Sequence, residues 1–72
     1  MPTIPRPLTK RQAEIMDLVA EGATIADIAQ RMSVSPRTVG NHLHECYIKL
    51  GAANRVQAAL AWERMSREAD AA

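Results

Sequence analysis

Phenylalanine is absent from this chain, and tryptophan and tyrosine occur once each, as Trp62 and Tyr47. An interior built on aromatic rings is therefore excluded, which leaves Leu, Ile, Val, Met and Ala to make the core. The many β-branched and aromatic residues expected of a sheet are missing, whereas the Ala, Leu, Met, Glu and Arg that favour helix are plentiful. The lone cysteine, Cys46, excludes an intramolecular disulfide and leaves no thiol cluster for zinc, a usage that fits a reducing cytoplasm. No apolar run approaches the ~20 residues of a membrane helix. Residues 1–7 hold Pro2, Pro5 and Pro7 and no apolar stretch of signal-peptide type, so they read as a short extended arm. Excess charge is missing as well. A net charge of +1 is low for a nucleic-acid binder and by itself does not point to DNA.

What the chain does hold is helical punctuation. Its 72 residues suffice for one small domain, and 47% hydrophobic content is too apolar for a disordered segment. Thr9 suits an N-cap, with Leu8 before it as a hydrophobic staple, and Ile15, Leu18 and Val19 then recur at helical spacing until Gly22. Thr24 caps a second helix with Asp27 three positions on, and Ile25, Ile28, Ala29 and Met32 follow the i, i+3, i+4, i+7 pattern. Ser33 and Val34 form a turn. Ser35 then caps a third helix whose first position is Pro36, whose buried stripe is Val39, Leu43, Cys46 and Leu50, and which Gly51 stops. Asn54 opens a fourth helix, with Val56, Ala59 and Leu60 expected toward the core and Ala58, Trp62 and Met65 pointing elsewhere. The pattern predicts helices at about 10–21, 25–32, 36–50 and 54–66, an arm at 1–7 and a frayed tail at 67–72. The fold class is all-α: a compact four-helix domain over residues 8–66 in which a tight turn joins the second and third helices.

Small Ala29 within the second helix allows a close crossing by the third, and Val34 in the turn pins the angle between them. With these features the chain resembles the LuxR-type (GerE-like) helix-turn-helix domain, a DNA-binding module at the C-terminus of many bacterial transcription regulators. The likeness is carried by Leu8-Thr9-Lys10-Arg11, Gly22, Ile28-Ala29, Val34-Ser35, Thr38-Val39, His42, Lys49-Leu50-Gly51, Asn54-Arg55 and Gln57-Ala58, over residues 8–60. Region 4 of sigma factors starts similarly, but Lys49-Leu50-Gly51 followed by Asn54-Arg55 favours the LuxR type. The resemblance implies a third helix lying in the major groove, and a fourth that often makes a dimer contact. It puts Gly40, Asn41 and His44 where family members touch bases, and Thr24, Thr38, His42 and Lys49 where they meet the sugar-phosphate backbone. Where the family usually has lysine this chain has Gly40 and Ala26; His44 and Ile48 replace frequently basic residues, and Gln12 replaces a glutamate. Fewer cations imply modest affinity per monomer and a shallow salt dependence.

Read from the residues themselves, the third helix presents Arg37, Gly40, Asn41, His44 and Ile48 on one face, where Asn can bond the adenine edge and Arg can pair with guanine or phosphate. The chemistry of His42 fits either a phosphate contact or a cover over the edge of the core, and Arg11 and Arg55 fit either phosphate or the ends of neighbouring helices. His42 and Cys46 stand one helical turn apart but make an incomplete metal site, so neither metal nor cofactor is expected. Ala58, Trp62 and Met65 suggest a helix-on-helix surface for a homodimer, with a fold of Trp62 over the N-terminal arm as the alternative.

The carboxylates are scattered over solvent faces and no nucleophile–base pair is present, so no enzymatic activity is expected. The leading expectation is a cytoplasmic, nucleoid-associated transcription regulator that reads an inverted repeat in double-stranded DNA as a dimer. The alternative is a protein-interaction module gripping a second regulator or RNA polymerase, and a third is a DNA-targeting piece of a recombinase or larger regulator. Family members usually carry a receiver or ligand-sensing domain ahead of this module. With eight residues ahead of Thr9, the chain is expected either to act alone, controlled by its abundance, or to be a fragment.

Overall fold

The computed structural model describes residues 8–71, and the side chains of residues 8–67. The arm at 1–7 thus lies outside the described residues. Four helices follow in order: α1 (Lys10–Ala20), α2 (Ile25–Met32), α3 (Pro36–Leu50) and α4 (Arg55–Ala71). Each of the first three begins on a hydroxyl cap. Thr9 Oγ1 accepts from the Gln12 N–H at 3.1 Å, Thr24 Oγ1 from Asp27 at 3.1 Å and Ser35 Oγ from Thr38 at 3.1 Å. The side chains of Gln12 and Asp27 reach back to the Thr9 and Thr24 N–H groups and complete two capping boxes. Pro36 opens α3, where its missing N–H costs nothing.

The same three helices also end alike. The Ala23 N–H donates to Leu18 O at 3.0 Å, Val34 to Ala29 O at 3.0 Å and Ala52 to Tyr47 O at 2.9 Å, so each chain exit curls back onto the last turn. Such a curl needs a left-handed residue. Gly22 (φ +90°) and Gly51 (φ +66°) supply it after α1 and α3, whereas Ser33 (φ 58°) takes it between α2 and α3. The helix-turn-helix angle is therefore set by a non-glycine residue in a conformation that ordinarily disfavours a Cβ. Val34, beyond it, is half-buried against the core.

The core is aliphatic apart from one ring: Ile15, Met16, Ile28, Val39 and Cys46 are fully enclosed, Leu8, Ala13, Val19, Ala29 and Leu43 lie around them, and Trp62, not expected inside, joins them from α4 with Ala58. Helix α1 packs on the other three and α3 packs on α2 and α4, while α2 and α4 do not touch among the described residues. Ile25, expected on the inner stripe of α2, is 41% exposed at the first position of that helix.

Helix α4 corrects two expectations. It continues as helix through Ala71, across the segment 67–71 assigned to a frayed tail. Its faces also differ from those inferred from apolar spacing: Val56 is 69% and Leu60 57% exposed and only Ala59 of the expected inner stripe packs against the core, whereas Ala58 is 0% and Trp62 4% exposed, with Met65 half-buried beside them. Both stripes are apolar, so periodicity does not choose between them. The choice follows from size: an indole removes far more surface from water than Val or Leu, and Ala58 one turn earlier lets the helix come close. The polar end of the ring is satisfied too, since Trp62 Nε1–H donates to Asp17 Oδ1 at 2.9 Å. The intended dimer surface of Ala58 and Trp62 is thus the chain's own core.

Candidate nucleic-acid interface

Helix α3 has two opposed faces. Val39, Leu43 and Cys46 are buried, and Leu50 is half-buried behind them. Arg37, Asn41, His44 and Ile48, spaced i, i+4, i+7, i+11, form one exposed strip on the opposite side, with Ile48 at 66% exposure. Gly40 lies half-buried beside the strip, and a Cβ built there meets nothing within 4 Å. Internal packing therefore does not require glycine at this position. Two clefts among the described residues, of about 290 and 200 Å³, lie along α1–α4 and at the α1–α2 turn, and no α3 residue lines either. Arg, Asn and His on one exposed helix face supply donors and acceptors suited to base edges and phosphate.

The flank of α3 that faces α1 is organised around Gln12, a polar residue only 3% exposed. Its carboxamide oxygen accepts from the Thr9 N–H at 3.1 Å and from Lys49 Nζ at 2.9 Å, and its Nε2 donates to Glu45 Oε2 at 2.8 Å. Among the described residues no buried side-chain polar atom lacks a hydrogen-bond partner. Cys46 lies beneath, its Sγ 4.0 Å from the Gln12 carbonyl oxygen. Burial pushes the Cys46 thiol up to about 11, against a small opposing pull from Lys49 and a further push from Glu45. It is a neutral core group.

Of the remaining expected contact residues, Thr38, His42 and Lys49 are on α3 and Thr24 is the N-cap of α2. Thr24 is exposed; its oxygen accepts within the cap, which leaves its O–H proton to donate outward. Thr38 is half-buried and its hydroxyl shares a 3.0 Å hydrogen bond with Ser35 Oγ. His42 is half-buried, and Lys49 is exposed but tied to Gln12. Arg11 and Arg55 resolve toward helix ends: Arg11 Nη2 donates to Met32 O at 3.3 Å, at the end of α2, and Arg55 donates to the Ala23 carbonyl after α1. No group of three or more His, Cys, Asp or Glu among the described residues is placed to hold a metal ion. Sequence reasoning missed the bonds from Gln12 to Glu45 and Lys49. Thr9 three residues before Gln12 signalled the capping box, but nothing local signalled the partners on α3.

Residues 6–62 match the family described as bacterial regulatory proteins, luxR family. The chain belongs to that family. A Mycobacterium bovis protein, Mb0914c, whose name describes it as an HTH-type transcriptional regulator, is 52% identical over 50 residues, 69% of this chain and 6% of that protein. The response regulator RamR of Streptomyces coelicolor is 44% identical over 72% of this chain and 26% of its own length. The spore germination protein GerE of Bacillus subtilis is 38% identical over 58 residues, 81% of this chain and 78% of GerE. The luxR-family chain thus spans about 6% of the length of the mycobacterial relative and most of the length of GerE. No solved structure matches the chain. Its family and the four helices, without strands, among the described residues together identify a helix-turn-helix module of DNA-binding transcription regulators.

Proposed function

We propose that this chain binds duplex DNA sequence-specifically and regulates transcription, with α3 as the recognition helix in the major groove. The observation that carries the reading is the exposed Arg37–Asn41–His44 strip, backed on the far side of the same helix by the buried Val39–Leu43–Cys46 stripe. Asn41 and His44 reach base edges, and Gly40 lets the helix backbone approach them. Arg37, Thr38, His42 and Lys49, with Thr24 at the start of α2, hold the sugar-phosphate backbone. Such a module works on nucleoid DNA. No helix among the described residues is long and apolar enough to cross a membrane.

A homodimer on an inverted repeat fits this reading, with recognition helices one DNA turn, ~34 Å, apart. Its contact surface on α4 is not Ala58 and Trp62, which the core consumes, but the outward Val56 and Leu60. Sedimentation of Leu60→Glu against wild type, free and on DNA, checks this: a wild type that stays monomeric in both conditions rules the dimer out.

The test of base reading starts from selection of bound duplexes out of a random pool. Asn41→Ala is expected to cost ~1–3 kcal/mol on the selected site and to relax preference at one position, whereas Lys49→Ala weakens all duplexes alike. Asn41→Ala binding every duplex as wild type does would remove α3 from the bases. A pool that yields no enriched duplex would favour the second reading, a module for a second regulator or RNA polymerase, which the 66% exposure of Ile48 on the same strip supports.

A further inference from the structure

We infer that Gln12 is a positioning residue for DNA binding: it withholds the Glu45 carboxylate from the phosphate backbone while anchoring the Lys49 ammonium beside it. The inference rests on the DNA-binding reading above and concerns a residue of α1 that is not itself on the DNA face.

Glu45 is exposed on α3, one turn after Asn41 and one turn before Lys49, on the flank of the strip proposed to enter the groove. A carboxylate swinging freely there would repel phosphate and offset one of the few cations of the face. Gln12 prevents this with one planar amide whose two ends do opposite work. Its Nε2 donor, 2.8 Å from Glu45 Oε2, draws the anion back toward α1. Its Oε1 acceptor, 2.9 Å from Lys49 Nζ, fixes the ammonium at one of three donors and leaves the other two for an external acceptor. The same Oε1 is held by the Thr9 N–H at 3.1 Å, and the residue is 3% exposed, so the amide is locked by the capping box and the surrounding core. An ionised carboxylate at position 12 would have acceptors for Lys49 and Thr9 but no donor for Glu45. Donor and acceptor on one buried group are what separate the two charges.

A double-mutant cycle on affinity for the selected duplex tests this at ~0.15 M salt, where exposed charges beyond about 8 Å are screened. In wild type, Glu45→Ala is expected to change affinity about twofold or less, because the carboxylate is already restrained. In Gln12→Met, which keeps the buried volume but has no amide, affinity falls, and adding Glu45→Ala raises it by about fivefold more than the same change does in wild type, the size of a ~1 kcal/mol coupling. Unfolding midpoints of all four proteins confirm that folded populations are compared. Equal effects of Glu45→Ala in both backgrounds would overturn the inference while leaving DNA binding intact. A wild type that binds no duplex would instead bring down the DNA-binding reading and this inference with it. Should Gln12→Met not fold, Glu45→Ala in wild type decides: a gain of fivefold or more means that the carboxylate acts on DNA despite Gln12.

Discussion

Helices α1 to α3 and helix α4 are made of similar residues, yet only the first three could be oriented by reading along the chain. Each of the three starts on a Thr or Ser cap, ends on a left-handed residue and carries a single apolar stripe. Helix α4 starts on Asn54, whose Oδ1 accepts from the Gln57 N–H at 2.9 Å, but it carries two apolar stripes on opposite sides. A helix with one apolar face has one way to bury it. A helix with two is oriented by its neighbours, and here α1 and α3 take the side that carries Trp62.

The largest test of that contrast compares the two stripes of α4 directly. Trp62→Ala is expected to destabilise the fold by ~3–5 kcal/mol, whereas Leu60→Ala, at a mostly solvated position, costs less than about 1 kcal/mol. Denaturant midpoints measure both, and a costlier Leu60→Ala would mean that α4 is rotated from the orientation described. The inner face of α3 has its own probe in Cys46. Its thiol is neutral when protonated and is pushed up to about 11 by burial, so the folded chain holds that proton more tightly than the unfolded one. The resulting stabilisation is complete below the ordinary thiol range and is lost as pH rises through about 11. The stability advantage of wild type over Cys46→Ala should therefore shrink by ~2 kcal/mol between pH 8.5 and 11. A difference that stays flat over that range would place the thiol in contact with water.

The smallest effects belong to the helix ends. Gly51→Ala forces a Cβ into φ +66° and is expected to cost ~1 kcal/mol. Ser33→Gly relieves the same conformation at φ 58° and is expected to add up to ~1 kcal/mol. Thermal unfolding reads both, and opposite shifts of Tm are required if the two ends share one geometry. A destabilising Ser33→Gly would show that the seryl side chain contributes to the turn between α2 and α3.

The legibility of the candidate interface follows the same division. The strip of Arg37, Asn41, His44 and Ile48 could be read because it is the complement of the buried stripe on the same helix, a relation internal to fifteen consecutive residues. The state of Lys49 and Glu45 could not, because their partner Gln12 lies 37 and 33 residues earlier. Arg55 poses the same problem: its residue type suits phosphate as well as carbonyl, and only the fold brings the Ala23 carbonyl, 32 residues away, to its guanidinium.

By itself, then, the sequence determined where the helices begin and turn, how the inner face of α3 is composed, and to which family the chain belongs. Caps, left-handed exits and apolar stripes act over three to five residues, within the span that hydrogen bonds of a helix end can reach. Only the tertiary structure decided which side of α4 became core, that Arg11 and Arg55 serve helix ends, and that Gln12 ties down two charges beside the recognition helix. Those outcomes depend on which of several chemically acceptable partners the packed helices bring within reach, and that is set by residues more than twenty positions away.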